Sequence, residues 1–138
     1  GNRDAFNAAK ATQLKYAGTR ATLVTQMTPA QLTQAAEKGV ALAQLTLGIM
    51  CGMGRGVTQD DAQAVTWHRK AAEQGHAFAQ WNLGVMHAHG IGVAKDYTKA
   101  AAWYRKAAEQ GHAEAQYDLG WAYRSGEGVR KDEKEAIK

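Results

Sequence analysis

Met50, Cys51, Met86, His87 and His89 place soft sulfur and imidazole donors at two points of the chain, and such donors suit copper or zinc. Cys51 and His87 are also the residue types of a thiol–imidazole nucleophile. Gly54-x-Gly56, repeated as Gly90-x-Gly92 and Gly126-x-Gly128, has the spacing of a fragment of a phosphate-cradling loop. Whether any of these chemistries exists depends on the elements that position the residues.

Cys51 and His87 are 36 residues apart, and the same interval recurs throughout the chain. It separates Gly39, Gly75 and Gly111; Gly48, Gly84 and Gly120; Gly54, Gly90 and Gly126; and Val57, Val93 and Val129. The run RKAAEQGHA is identical at 69–77 and 105–113. A fixed period of this size with helical composition specifies stacked helix pairs. Cys51 and His87 therefore occupy one position in successive units and read as alternative core residues, not as partners. The paired glycines fall between two helices and not after a strand, so they read as turns. No carboxylate pair or nucleophile–base pair is legible elsewhere, so no catalytic residue, metal or cofactor is assigned.

The middle unit shows the logic. Ala77 to His89 reads as a first helix (A), interrupted only by Gly84. Gly90-Ile91-Gly92-Val93 reads as the turn. Asp96 is placed to cap a second helix (B) that runs to Gln110 and is stopped by Gly111. The first unit gives helix A at about 41–51 and helix B at about 60–74, and the third gives helix A at about 113–124 and helix B from near Asp132, by the same period. Glycine in mid-helix costs about 1 kcal/mol relative to alanine. Its recurrence at 48, 84 and 120 predicts close helix approach there. His76 and His112 read as structural caps.

These residues carry a family resemblance. The segment AFAQWNLGVMHAHGIGVAKDYTKAAAWYRKAAEQG at 77–111 resembles the Sel1-like repeat, a relative of the tetratricopeptide repeat with a longer inter-helix loop, and the likeness extends over roughly 39–138. The pattern's aromatic after Leu-Gly is kept only at Tyr123, and the aromatic after tryptophan is His68 in the first unit. Some cysteine-rich members are described as binding or hydrolysing β-lactams, but they carry a disulfide in each repeat, and this chain has a single cysteine. The expected fold is an all-α, right-handed α/α solenoid with units at 39–74, 75–110 and 111–138. Residues 1–38 are read as a degenerate first repeat that caps it, with helices at Asn2–Lys15 and Pro29–Lys38, the first stopped at Gly18 and the second capped by Thr28.

Helical periodicity divides each A helix into two faces. Gln80, Leu83, Gly84 and His87 point one way. Phe78, Asn82, Val85 and His89 point the other, flanked by Trp81 and Met86, and the period carries this face to Leu42, Thr46, Ile49 and Met53, flanked by Leu45 and Met50, in the first unit. In resembling solenoids the A helices line the concave side. The expected partner-binding surface is therefore Leu42, Ile49, Phe78, Trp81, Asn82, Val85, His89, Glu114, Tyr117, Asp118 and Trp121, because gathered exposed aromatics mark interaction sites.

The formal charge is +4, with basic residues dispersed at repeat positions beside glutamates, a solvated pattern that excludes nucleic acid as the expected partner. No apolar run approaches the roughly 20 residues of a membrane span, and no signal peptide is visible. The chain begins at Gly1, read as a trimmed or mature end, and the helix begun near Asp132 is expected by the period to run to about residue 146. The resemblance implies a non-enzymatic bacterial adaptor of the cytoplasm or periplasm, an immunity protein that neutralises a cognate toxin being one such role. The alternative is an envelope protein that binds or hydrolyses β-lactam or peptidoglycan fragments. A monomer is expected, with stacking through the C-terminal end as a further option.

Overall fold

The computed structural model describes residues 26–126. Among them are six α-helices and no strand: α1 (Pro29–Glu37), α2 (Ala41–Met53), α3 (Asp61–Glu73), α4 (Ala77–His89), α5 (Tyr97–Glu109) and α6 (Ala113–Ser125). The extensive packing is between consecutive helices, most of all within the pairs α2–α3 and α4–α5. This nearest-neighbour packing is that of a repeat solenoid. The expected helices at Asn2–Lys15 and from Asp132, the stop at Gly18 and the turn residues Gly128 and Val129 lie outside the described residues.

The helix boundaries follow from cap chemistry. Thr28 and Gln31 form a reciprocal capping box ahead of Pro29. Asp60 and Asp96 accept the backbone N–H of Gln63 and Lys99, at 3.1 and 3.0 Å. His76 and His112 cap α4 and α6, each Nδ1 accepting an N–H three residues on, from Ala79 at 3.4 Å and Ala115 at 3.3 Å. The A helices run one to two residues further than expected, to Met53 and Ser125. Gly92 has two reasons to be glycine. Its φ is +70°, and a β-carbon there would clash with the Asp61 carbonyl oxygen, because the turn of one unit rests on the start of the previous B helix.

Small residues let the helices close up. Ala43, Ala79, Ala115, Ala71 and Ala107 are fully buried, as is Leu83. Gly48 and Gly84 each face the ring of the partner B helix, His68 and Tyr104 respectively, as their recurrence predicts. Between units the connection is polar and periodic. Gln44, Gln80 and Gln116 donate to the carbonyls of Ala36, Ala72 and Ala108, eight residues back, at 3.0, 3.1 and 3.2 Å. Gln74 then donates to Gln44 Oε1, and Gln110 to Gln80 Oε1, both at 2.8 Å. Each B-helix end is thereby tied to the A helix of its own unit and, through that glutamine, to the preceding B helix.

Candidate functional site

None of the eleven expected binding residues is buried. Ile49, Phe78, His89, Glu114, Tyr117 and Trp121 are exposed, and Leu42, Trp81, Asn82, Val85 and Asp118 are half-buried. The opposite face of α4 is closed: Gln80, Leu83, Gly84 and His87 are all buried. The central positions of the two faces separate as expected, but Met86 and Leu45, expected to flank the open face, are buried, because the helices pack against their neighbours on that flank. Met53, exposed at the end of α2, extends the apolar surface of the same helix beyond the assigned set.

The structure draws part of the set into one cluster. Trp81 Nε1 donates to Asp118 Oδ2 at 2.8 Å, joining α4 to α6. The Trp81 ring lies 5.5 Å from His112 and 5.7 Å from Phe78, and Phe78 meets His112 edge-on at 5.9 Å. Tilted and edge-on arrangements are the ones the aromatic quadrupole favours. His112 was not in the expected set. It serves both as the cap of α6 and as the third ring of the cluster, and only the position of its turn beside α4 brings it there. Its Nδ1 lone pair is engaged by the cap, so Glu114, 3.6 Å away, is a neighbour of that nitrogen and not an ion-pair partner in this tautomer. Tyr104 is buried on α5, its ring against Gly84. Burial pushes its hydroxyl up to about 12, and the Asp118 carboxylate acts in the same direction.

The distribution of charge is specific. Helices α2 and α4 contain no Asp, Glu, Lys or Arg, whereas α6 carries Glu114 and Asp118. The cations gather on the B helices. Lys70 and Lys106 lie over Trp67 and Trp103, 4.8 and 4.6 Å from the ring centroids. These tryptophans are thus covered from within the chain, while the Phe78–Trp81–His112 cluster has no cation over it among the described residues.

Of the residues that suggested chemistry, Cys51, Met86 and His87 are buried, Met50 is half-buried and His89 is exposed. Cys51 is buried, and among the described residues its thiol reaches only Gln63 Oε1, at 3.9 Å. Burial, then the Asp60 charge, raises its pKa, the reverse of what a nucleophile requires. His68 and His87 are buried with Nδ1 unbonded, and burial is the first cause lowering both, that of His68 to about 4. No group of three or more metal-ligating side chains occurs among the described residues. No described helix is long and apolar enough to cross a membrane. Gly54, Gly56, Gly90 and Gly92 form inter-helix turns with positive φ, as expected of turn residues.

A search of the curated proteins found no match. Among solved structures, the chain is similar to c5321, a protective antigen present in uropathogenic Escherichia coli strains displaying an SLR fold (44% identity, TM-score 0.78), over 81% of this chain and 24% of that one. It is similar to a Sel1 repeat protein from Oxalobacter formigenes (43% identity, TM-score 0.76), over 79% of this chain and 45% of that one. It also resembles the Helicobacter pylori cysteine rich protein B (27% identity, TM-score 0.59), over 81% and 85%. The chain thus spans about a quarter and under half of the first two. The Sel1 repeat matches at residues 41–76, 77–112 and 113–138. Proteins of this kind generally mediate protein–protein interaction on a non-catalytic scaffold. With three consecutive matches covering most of its length, the chain belongs to the Sel1 repeat family.

Proposed function

We propose that this chain is a non-enzymatic adaptor that holds a partner protein or peptide on the helix-A face, an immunity protein that neutralises a toxin being one form of that role. The observation that carries the reading is the contrast between the two faces of the A helices. On α2 and α4 one face is closed by buried side chains, while the other leaves Ile49, Met53 and Phe78 between 37% and 56% exposed, and on α6 Trp121 is 47% exposed. Aromatic residues gathered on one surface are the usual anchors of an interface. We take this face as the concave wall on the strength of the family resemblance.

The test is the paired substitution Phe78→Ala and Trp121→Ala. Both side chains are substantially exposed, so the variant should retain the wild-type helical circular dichroism while losing a partner retained by the wild-type chain. A folded double variant that retains the partner as well as wild type would remove this face from the account.

A further inference from the structure

The A face is uncharged along α2 and α4 and acidic only where α6 begins, in a chain whose net charge is +4. The two carboxylates flank the aromatic cluster. Asp118 accepts one hydrogen bond, from Trp81, and Glu114 stands beside His112. No lysine or arginine pairs with either among the described residues. The nearest cation on α6, Arg124, lies six residues beyond Asp118, about 9 Å along the helix at 1.5 Å per residue. Tyr117 and Trp121, 70% and 47% exposed, continue the surface on the same helix.

From this arrangement we infer that the α4–α6 cluster receives a cationic side chain, an arginine or lysine on an extended segment of the partner. The inference rests on the partner-binding reading of the helix-A face and specifies the chemistry of what binds there. A guanidinium or ammonium is attracted to the faces of aromatic rings such as Trp81 and Trp121 by the ring quadrupole. The free oxygens of Asp118 and Glu114 supply hydrogen-bond acceptors and opposite charge at the cluster's edge. The chain already shows the same chemistry on its B helices, where Lys70 covers Trp67 and Lys106 covers Trp103. On the A face the aromatics and carboxylates are present with no lysine or arginine over them among the described residues, and the partner supplies the cation. An acidic segment would instead be repelled by both carboxylates.

The experiment follows the four tryptophan indole N–H resonances of isotopically labelled protein during titration with an arginine-centred heptapeptide of Gly and Ser, its glutamine-centred counterpart and its glutamate-centred counterpart. The arginine peptide should move the Trp81 and Trp121 resonances and leave Trp67 and Trp103 in place, since those rings already hold a lysine. Its affinity should fall as salt is raised. The charge-removing pair Glu114→Gln and Asp118→Asn keeps an acceptor for Trp81, and it should weaken the arginine peptide by about tenfold or more. Equal shifts with the glutamine peptide would overturn the inference and leave the helix-A binding reading standing. So would shifts of all four indoles alike, or none with any peptide, because retention of an intact partner through Phe78 and Trp121 is measured separately.

Discussion

Three imidazole atoms of His68 lie 3.0 to 3.1 Å from the point where a β-carbon on Gly48 would stand, and two ring atoms of Tyr104 lie 2.6 and 2.7 Å from the same point on Gly84. One repeat position thus presents two degrees of crowding. Glycine to alanine gains about 1 kcal/mol of helix propensity. At Gly48 a small shift of the histidine offsets the contact, and Gly48→Ala should be close to neutral. At Gly84 the Ala100 carbonyl also stands 3.2 Å away. Gly84→Ala should be destabilising, by about 1–3 kcal/mol, and Gly84→Val more so. Thermal melts of the variants check the order; a wild-type melting temperature for Gly84→Val would contradict it.

Acid should weaken the fold through its buried histidines. His68 is 4% exposed, and burial holds its pKa near 4 in the folded chain, against an ordinary value of 6.5. The unfolded chain therefore takes up the proton first. Stability is unaffected by this group above pH 6.5 and falls as pH drops from there toward 4, by up to about 3 kcal/mol. His76 and His87 are shifted in the same direction. Denaturant midpoints at pH 7.5 and 4.5 measure the loss. In His68→Tyr, which installs the residue found at the equivalent position 104, the loss should shrink markedly; an unchanged loss would contradict the assignment.

The glutamine series predicts a burial effect at constant chemistry. Gln80 is 5% exposed, donates to Ala72 and accepts from Gln110. Gln116 makes the equivalent bond to Ala108 but is exposed. Gln80→Met removes both hydrogen bonds at a buried position, the Ala72 carbonyl keeping the N–H of Gly75, and should cost about 1 kcal/mol, whereas at Gln116 water replaces the lost partner and the cost should be a few tenths. Equal losses in urea denaturation would refute the distinction.

Leu83 is fully buried at the centre of α4. Leu83→Ala should cost about 2–5 kcal/mol through the cavity it leaves. A loss below 1 kcal/mol, read from the same urea titration, would mean the interior is packed less tightly than the fully buried Ala79 and Ala107 indicate.

Repetition made the solenoid legible, and it also limits what a sequence reveals. The glycine and cap positions recur at the period, so any one unit explains the others. The Trp81–Asp118 bond spans 37 residues, one more than the period, and the equivalent pair in the preceding units, Leu45 and Asn82, has no such chemistry. Nothing periodic announces it. Exposure likewise depends on position in the stack. Leu45 is 6% exposed and Tyr117 is 70% exposed at one repeat position, because a following A helix adjoins α2, and none adjoins α6 among the described residues. The glutamine series, by contrast, was present in the sequence at the 36-residue interval and is recognisable once glutamine is treated as an inter-unit connector.

Site-resolved photo-crosslinking tests the central claim most directly. A photoreactive side chain would be placed at Ile49, Phe78 or Trp121 on the helix-A face, and at the exposed Thr66 or Ala102 on the B helices, in cells of the source organism. The account predicts that one partner protein is captured from the helix-A positions and not from the B-helix positions. Capture of that partner from Thr66 or Ala102 alone would contradict it.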